Sequence, residues 1–310
     1  MLSIAELNDR FTIPGQLHFQ PIGDGLLAAH ITNAHGTASL CLQGGHLFSW
    51  QPVSTPEPVV WMSPAATFAP NTPIRGGIPI CWPWFGAHDS DSTFPAHGFA
   101  RAQPWQVTGS RSLEDGSTEI ALCYLPTAET QKFWPQGDVA SRLDLLVNVG
   151  ASLKIALITR NLGESDFTIS EALHTYFHVS DVAQVQVEGL DGVHFHDKAA
   201  GWTQGDQTGP VGFTAEVDRV YTNSANRCTI VDPVLQRRIH IAKLGSQSTV
   251  VWNPWATRAA QMGDLGADDD GGGWKSFVCV ESGNALDNAV TVPAGQSHTL
   301  AVEYRVEMSG

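Results

Sequence analysis

Short runs of about five to eight residues rich in Val, Ile, Thr and Leu recur along the whole chain, each cut off by Gly, Pro, Asn or Asp. They include Leu26–Thr32, Ala38–Leu42, Glu119–Tyr124, Arg142–Val147, Leu153–Arg160, Thr168–Phe177, Gln184–Glu188, Arg238–Ala242, Thr249–Trp252, Phe277–Glu281 and His298–Val306. Several alternate with the period of a half-buried strand. Leu153, Ile155, Leu157 and Thr159 fall on one face, and Lys154, Ala156, Ile158 and Arg160 on the other. Helical periodicity is nearly absent, with Ser3–Asp9 and a turn near Thr127–Phe133 as the best candidates. Many strands at regular spacing predict an all-β protein, a large antiparallel sandwich or barrel. No composition break marks a linker, so one domain over residues 1–310 is expected.

Composition narrows the partners. With 42% hydrophobic and 15% charged residues the chain reads as a soluble globular protein, and it has no apolar run long enough to span a membrane. The start of the chain has no basic stretch followed by an apolar one, so no signal peptide is expected and a cytoplasmic location is. A net charge of −14 argues against nucleic acid and anionic membranes as partners. An anion held by such a chain needs a tight local cluster of cations, because the global field opposes it. The five cysteines, Cys41, Cys81, Cys123, Cys228 and Cys279, are scattered among apolar neighbours and read as reduced, mostly buried thiols. The acidic, Gly-rich stretch at 266–273 reads as a surface loop. A calcium site through Asp264, Asp268 and Asp270 is the alternative, without the ligand spacing of an EF-hand.

Four segments could carry chemistry. The first is Pro73–Gly86, with Arg75, Gly76-Gly77, Trp82, Trp84, Phe85 and three prolines. Pro79 and Pro83 exclude a regular helix and fit a strand only at an edge or bulge. The expected result is a rigid aromatic-lined loop around Arg75, suited to a sugar carrying an anion. A Trp/Pro core plug, with Arg75 in an ordinary ion pair, accounts for the same residues. The second is Ser170–His178. As one strand it places Ser170, Ala172, His174, Tyr176 and His178 on one face. His174 could move a proton near neutrality, or could be an ordinary hydrogen-bonded strand histidine. His174 and His178 would stand about 13 Å apart along a strand, too far for one metal ion. The third is Phe277–Asn284, an apolar strand expected to end at Glu281, whose partly desolvated carboxylate would be a strengthened base. A salt-bridged strand-end glutamate is the alternative. The fourth is Pro95–Arg101, where His97 could bind a hydroxyl and Arg101 an anion, or both could simply tie a loop. Asp218 could bind hydroxyls or lie on a solvated face. Nucleotide-binding, acyl-transfer and zinc signatures are absent from the sequence.

Seven motifs in order resemble the aldose 1-epimerase (galactose mutarotase-like) superfamily, and more closely its hexose-6-phosphate mutarotase branch. They are Arg75–Pro79 with Trp82–Gly86, His97–Arg101, Glu171–Phe177, Gly189–Gly192, Asp218–Tyr221, Val251–Trp255 and Val278–Gly283. The resemblance spans roughly residues 14–306. It implies a β-supersandwich with the site on a concave face, and cofactor-free interconversion of the α and β anomers of a hexose 6-phosphate. It implies His174 as the acid that protonates the ring oxygen and Glu281 as the base at the C1 hydroxyl. Arg75 and Arg101 would then hold the phosphate, and His97 and Asp218 would bind substrate. No metal or cofactor is called for, the partner is a small sugar phosphate, and a monomer is favoured. Ala96 departs from the pattern, since some relatives carry Gln there as a substrate contact. Chemically, the acid/base pair should face one another across a ring-sized gap, with Glu281 ionised and His174 protonated. A free-aldose epimerase and a non-catalytic sugar-phosphate sensor are the rival readings.

Overall fold

The alternating runs become strands because each can bury one face and leave the other in water. In Ser141–Val149 every second residue is buried, with Leu143, Leu145, Val147 and Val149 pointing inward. Its neighbour Leu153–Asn161 buries the predicted Leu153, Ile155, Leu157 and Thr159 face. The computed structural model describes residues 2–134, 139–265 and 273–309. Among them every strand ladder is antiparallel. The Gly-rich 266–272 stretch, with Asp268 and Asp270 of the alternative calcium site, lies outside the described residues.

Two eight-stranded sheets dominate. One runs in the order Gln186–Glu188, Cys228–Asp232, Arg237–Leu244, Ser297–Met308, Leu153–Asn161, Ser141–Val149, Thr118–Tyr124 and Gln106–Ser112. The other runs Thr203–Asp206, His194–Asp197, Val217–Tyr221, Ser248–Asn253, Phe277–Asn284, Glu171–Leu173 and Ile80–Cys81, with Tyr176–His178 also paired to Phe277–Asn284. A four-stranded meander, Leu17–Ile22 to His46–Pro52, precedes them, and Phe167–Ile169 pairs with Val290–Val292. Cross-sheet contacts tie the two large sheets together. Thr175 and Tyr304 share a hydrogen bond of 2.7 Å between their hydroxyls, and Phe177 packs edge-on against Tyr304.

Helix is sparse for the reason the sequence suggests. The N-terminal helix is Ile4–Phe11, with Ser3 as its N-cap in a capping box with Glu6. The turn near 127–133 holds a short helix, Ala128–Gln131, capped by Thr127. All five cysteines are free and buried.

The Pro-rich segment settles differently from the aromatic-lined loop. Trp82 is fully buried and its indole N–H donates to Thr159 of the opposite sheet, 3.1 Å away. Trp84 is buried too, and packs edge-on against Phe99 and His88. Both tryptophans are therefore core plugs; an indole offers the core more apolar area than any other side chain. The prolines do limit strand structure to a two-residue edge strand, Ile80–Cys81, between Pro79 and Pro83.

Candidate active site

Two adjacent strands of one sheet place the central pair. Phe277–Asn284 does not end at Glu281; its ladder continues to Asn284. Glu281 is therefore mid-strand and 1% exposed, on the floor of a cavity rather than at a strand mouth. The Ser170–His178 run is broken into Glu171–Leu173 and Tyr176–His178. The register is kept across the break, Leu173 opposite Ser282 and Tyr176 opposite Cys279, so His174 falls across from Glu281. The break arises where Pro79, which has no N–H, runs alongside. The His174 N–H donates to the Pro79 carbonyl at 3.0 Å and the Tyr176 N–H to the Gly77 carbonyl at 3.0 Å. Gly77 has φ +67° and a side-chain carbon there would sit 2.3 Å from His46 Nε2, so only glycine fits.

His174 Nε2 lies 3.4 Å from Glu281 Oε1. The pair touches, where a ring-sized gap was expected, because strands paired in register bring opposed side chains together. His174 Nδ1 and Glu281 Oε2 are buried with no hydrogen-bond partner among the described residues. Burial works against the charges expected of both groups. Burial pushes the His174 imidazolium well below its usual range, helped by His97, Arg101 and Arg75. Burial likewise raises the Glu281 carboxyl well above its usual range, with Asp218 adding to it against Lys198 and Arg101. Each group is thereby biased toward its uncharged form. The His174 ring stacks on Tyr176, with centroids 4.9 Å apart and planes 9° apart, and meets Trp252 edge-on.

Around this pair the sequence-predicted residues converge on one cavity of about 950 Å³, lined by Arg75, His97, Arg101, His174, Asp218 and Glu281. Arg75 is already engaged. Its Nε donates to Asp264 Oδ2 at 2.9 Å and its Nη1 to the Tyr176 hydroxyl at 2.8 Å. Arg101 sits in a single 3₁₀ turn, Ala100–Ala102, and its Nη2 donates to the Ala96 carbonyl at 2.7 Å. That bond uses the backbone of Ala96, so the missing Gln side chain is not part of it. His97 has φ +64° and its Nδ1 accepts the Gly86 N–H at 3.3 Å, leaving Nε2 to carry the ring proton. Burial, and then Arg101, Lys198 and Arg75, push its pKa down to about 3, so it is a neutral donor. Asp218 is half-buried on Val217–Tyr221, and burial raises its carboxyl.

Two contributors had no clear sequence signal. Lys198 lies in the turn after His194–Asp197, and its Nζ is 3.4 Å from Asp218 Oδ2. It lines the cavity and acts on both Glu281 and His97. Nothing in a lone lysine within a polar turn marks it; only the pairing of that turn beside the Asp218 strand does. The aromatic walls come from Phe85, Trp202 and Trp252 instead of Trp82 and Trp84. Trp252 belongs to a motif already singled out, whereas Trp202 sits isolated in a hairpin turn.

Comparison with known proteins places this geometry. The aldose 1-epimerase family profile matches residues 28–305. A protein of Escherichia coli K12 described as a candidate glucose-6-phosphate 1-epimerase is 38% identical over 278 residues, covering 87% of this chain and 86% of that one. One from Cenchrus ciliaris, described in the same words, is 33% identical over 271 residues, covering 84% and 78%. The crystal structure of the candidate mutarotase YeaD from Salmonella typhimurium superposes with a TM-score of 0.87 at 33% identity, covering 96% of each chain. The structure of HI1317 superposes with a TM-score of 0.75 at 26% identity, covering 96% of this chain and 97% of that one. By profile, relatives and fold alike, the chain belongs to the aldose 1-epimerase family.

Proposed function

We propose that the protein interconverts the α and β anomers of a hexose 6-phosphate, with glucose 6-phosphate the first candidate, by acid/base ring opening and closure. The observation that carries this reading is the buried His174–Glu281 pair at the foot of a cavity lined by four cations, Arg75, Arg101, Lys198 and Arg258. Anomerisation needs one proton taken from O1 and one delivered to O5. C1–O5 breaks, C1 becomes a carbonyl, the C1–C2 bond rotates, and closure reverses the transfers. One acid and one base meet that demand, with Glu281 as base at O1 and protonated His174 as acid at O5. Each role is worth roughly 10²–10⁴-fold. His97, a neutral donor, and Asp218 are suited to sugar hydroxyls. The cations suit the phosphate, and Arg75 and Arg101 both shape the field at His174.

The relatives described as glucose-6-phosphate 1-epimerases support the choice of sugar phosphate. A free-aldose activity is the second reading, favoured by the Arg75 charge already being matched by Asp264. The test is the anomerisation rate of freshly dissolved α-glucose 6-phosphate with and without protein, with glucose in parallel. Acceleration of the phosphate alone is expected. Acceleration of glucose alone would establish the second reading, and acceleration of neither would remove the enzyme reading for these sugars.

A further inference from the structure

We infer that Asp264 is a positioning residue, which fixes the Arg75 guanidinium so that its free edge serves as an anion-binding fork in the cavity. This rests on the hexose-phosphate reading above. The guanidinium is gripped from two sides, by Asp264 Oδ2 on Nε at 2.9 Å and by the Tyr176 hydroxyl on Nη1 at 2.8 Å. Two of its five N–H donors are thereby used by described partners, and the remainder lie on the Nη groups. Tyr176 is a rigid stop, since it is fully buried and stacked between His174 and Trp61. Asp264 is anchored as well. The Ser63 hydroxyl donates to the Asp264 carbonyl at 2.6 Å, and the next residue, Leu265, is buried in the core. The N–H of the same Ser63 donates to the Arg75 carbonyl at 3.3 Å. One residue thus ties the two backbones whose side chains pair, although they stand 189 positions apart in sequence.

An arginine fixed in this way does not have to surrender side-chain entropy when an anion arrives, and bidentate geometry rewards that fixation. A carboxylate placed at Nε also keeps its own charge off the Nη edge, where an incoming anion would dock. Asp264 itself need not touch substrate.

The experiment measures binding of glucose 6-phosphate, glucose and inorganic phosphate by calorimetry, and KM and kcat for anomerisation, on the whole chain. The proteins are wild type, Asp264→Ala and Asp264→Asn. Asp264→Asn keeps an oxygen that can accept from Nε and removes the charge. Asp264→Ala should weaken glucose 6-phosphate binding by about tenfold, the loss of one charge-assisted hydrogen bond. KM should rise by more than kcat falls, and glucose binding should hold. Asp264→Asn should restore most of the affinity. Unchanged or tighter phosphosugar binding in Asp264→Ala would make Asp264 a bystander or a competitor for Arg75 and overturn the inference. So would equal losses for glucose and glucose 6-phosphate, or an Asn variant as weak as the Ala variant. A wild type that binds neither glucose 6-phosphate nor phosphate would instead defeat the hexose-phosphate reading on which this one rests.

Discussion

At the residue scale, the protein concentrates its chemistry in one buried acid/base pair, His174 and Glu281. His174 and Glu281 are both driven toward their neutral forms by burial, so a proton gained at His174 and one lost from Glu281 are both unfavourable. The pH dependence follows. The acid limb of kcat/KM marks addition of a proton to the pair, and a depressed His174 moves it below the ordinary histidine range. The alkaline limb marks loss of a proton from the pair, and a raised Glu281 moves it above the ordinary carboxylate range. The acid limb of the enzyme should therefore lie below the ordinary histidine range, with limbs belonging to the pair and not to either residue. An acid limb centred near 6.5 that His174→Asn removes would show that the imidazole titrates freely and would sink this account. His174→Asn and Glu281→Gln should each lower kcat by about 10²–10⁴-fold while glucose 6-phosphate still binds. Unchanged turnover in either variant takes that residue out of the mechanism.

At the scale of elements, the site depends on a tight turn as much as on the sheet. The turn that carries His97 and Arg101 is held against Trp82 by a parallel bridge between Trp82 and Gly98. Gly98 has φ +72°, and a side-chain carbon there would sit 2.0 Å from the Trp82 carbonyl oxygen. Gly98→Ala therefore combines left-handed strain with a backbone clash. It should cost at least about 2 kcal/mol of stability. It should also weaken substrate binding by displacing His97 and Arg101 together. Denaturant midpoints and KM on the same variant check both, and an undisturbed KM would mean that the turn reaches its geometry without the bridge. The element scale is also where sequence reading fell short. Alternation correctly grouped Ala172, His174 and Tyr176 on one face, because register survives the break in the strand. It could not foresee that Pro79 lies alongside and interrupts the ladder, since that neighbour is nearly a hundred residues away.

For the whole molecule, buried neutral histidines couple folding to pH. His46 is 1% exposed, and burial pushes its pKa down to about 3; His97 is held near the same value. Each folded-state pKa lies below the unfolded value of about 6.5, so below that pH the unfolded chain binds protons that the folded one refuses. Stability from these groups is complete above pH 6.5 and is lost as pH falls from 6.5 toward 3, at most roughly 1.4 kcal/mol per pH unit for each histidine. Urea midpoints at pH 7 and pH 5.5 should differ in the wild type and differ less in His46→Gln. An equal difference in both proteins would remove His46 as a source of the effect.

By itself the sequence was enough for the all-β class, the inward faces of the long strands, an N-terminal helix and six of the residues that gather at the cavity, Arg75, His97, Arg101, His174, Asp218 and Glu281. These are local properties: side-chain period, turn chemistry and the order of motifs. Only the tertiary structure decided the rest. It buried Trp82 and Trp84 in the core and brought Trp202, Trp252 and Lys198 to the cavity. It set His174 against Glu281 at 3.4 Å and paired Arg75 with Asp264. Protonation belongs to this second group as well. A carboxyl or an imidazole has its ordinary pKa in the unfolded chain, and what raises Glu281 and lowers His174 is the loss of water around them in the folded protein.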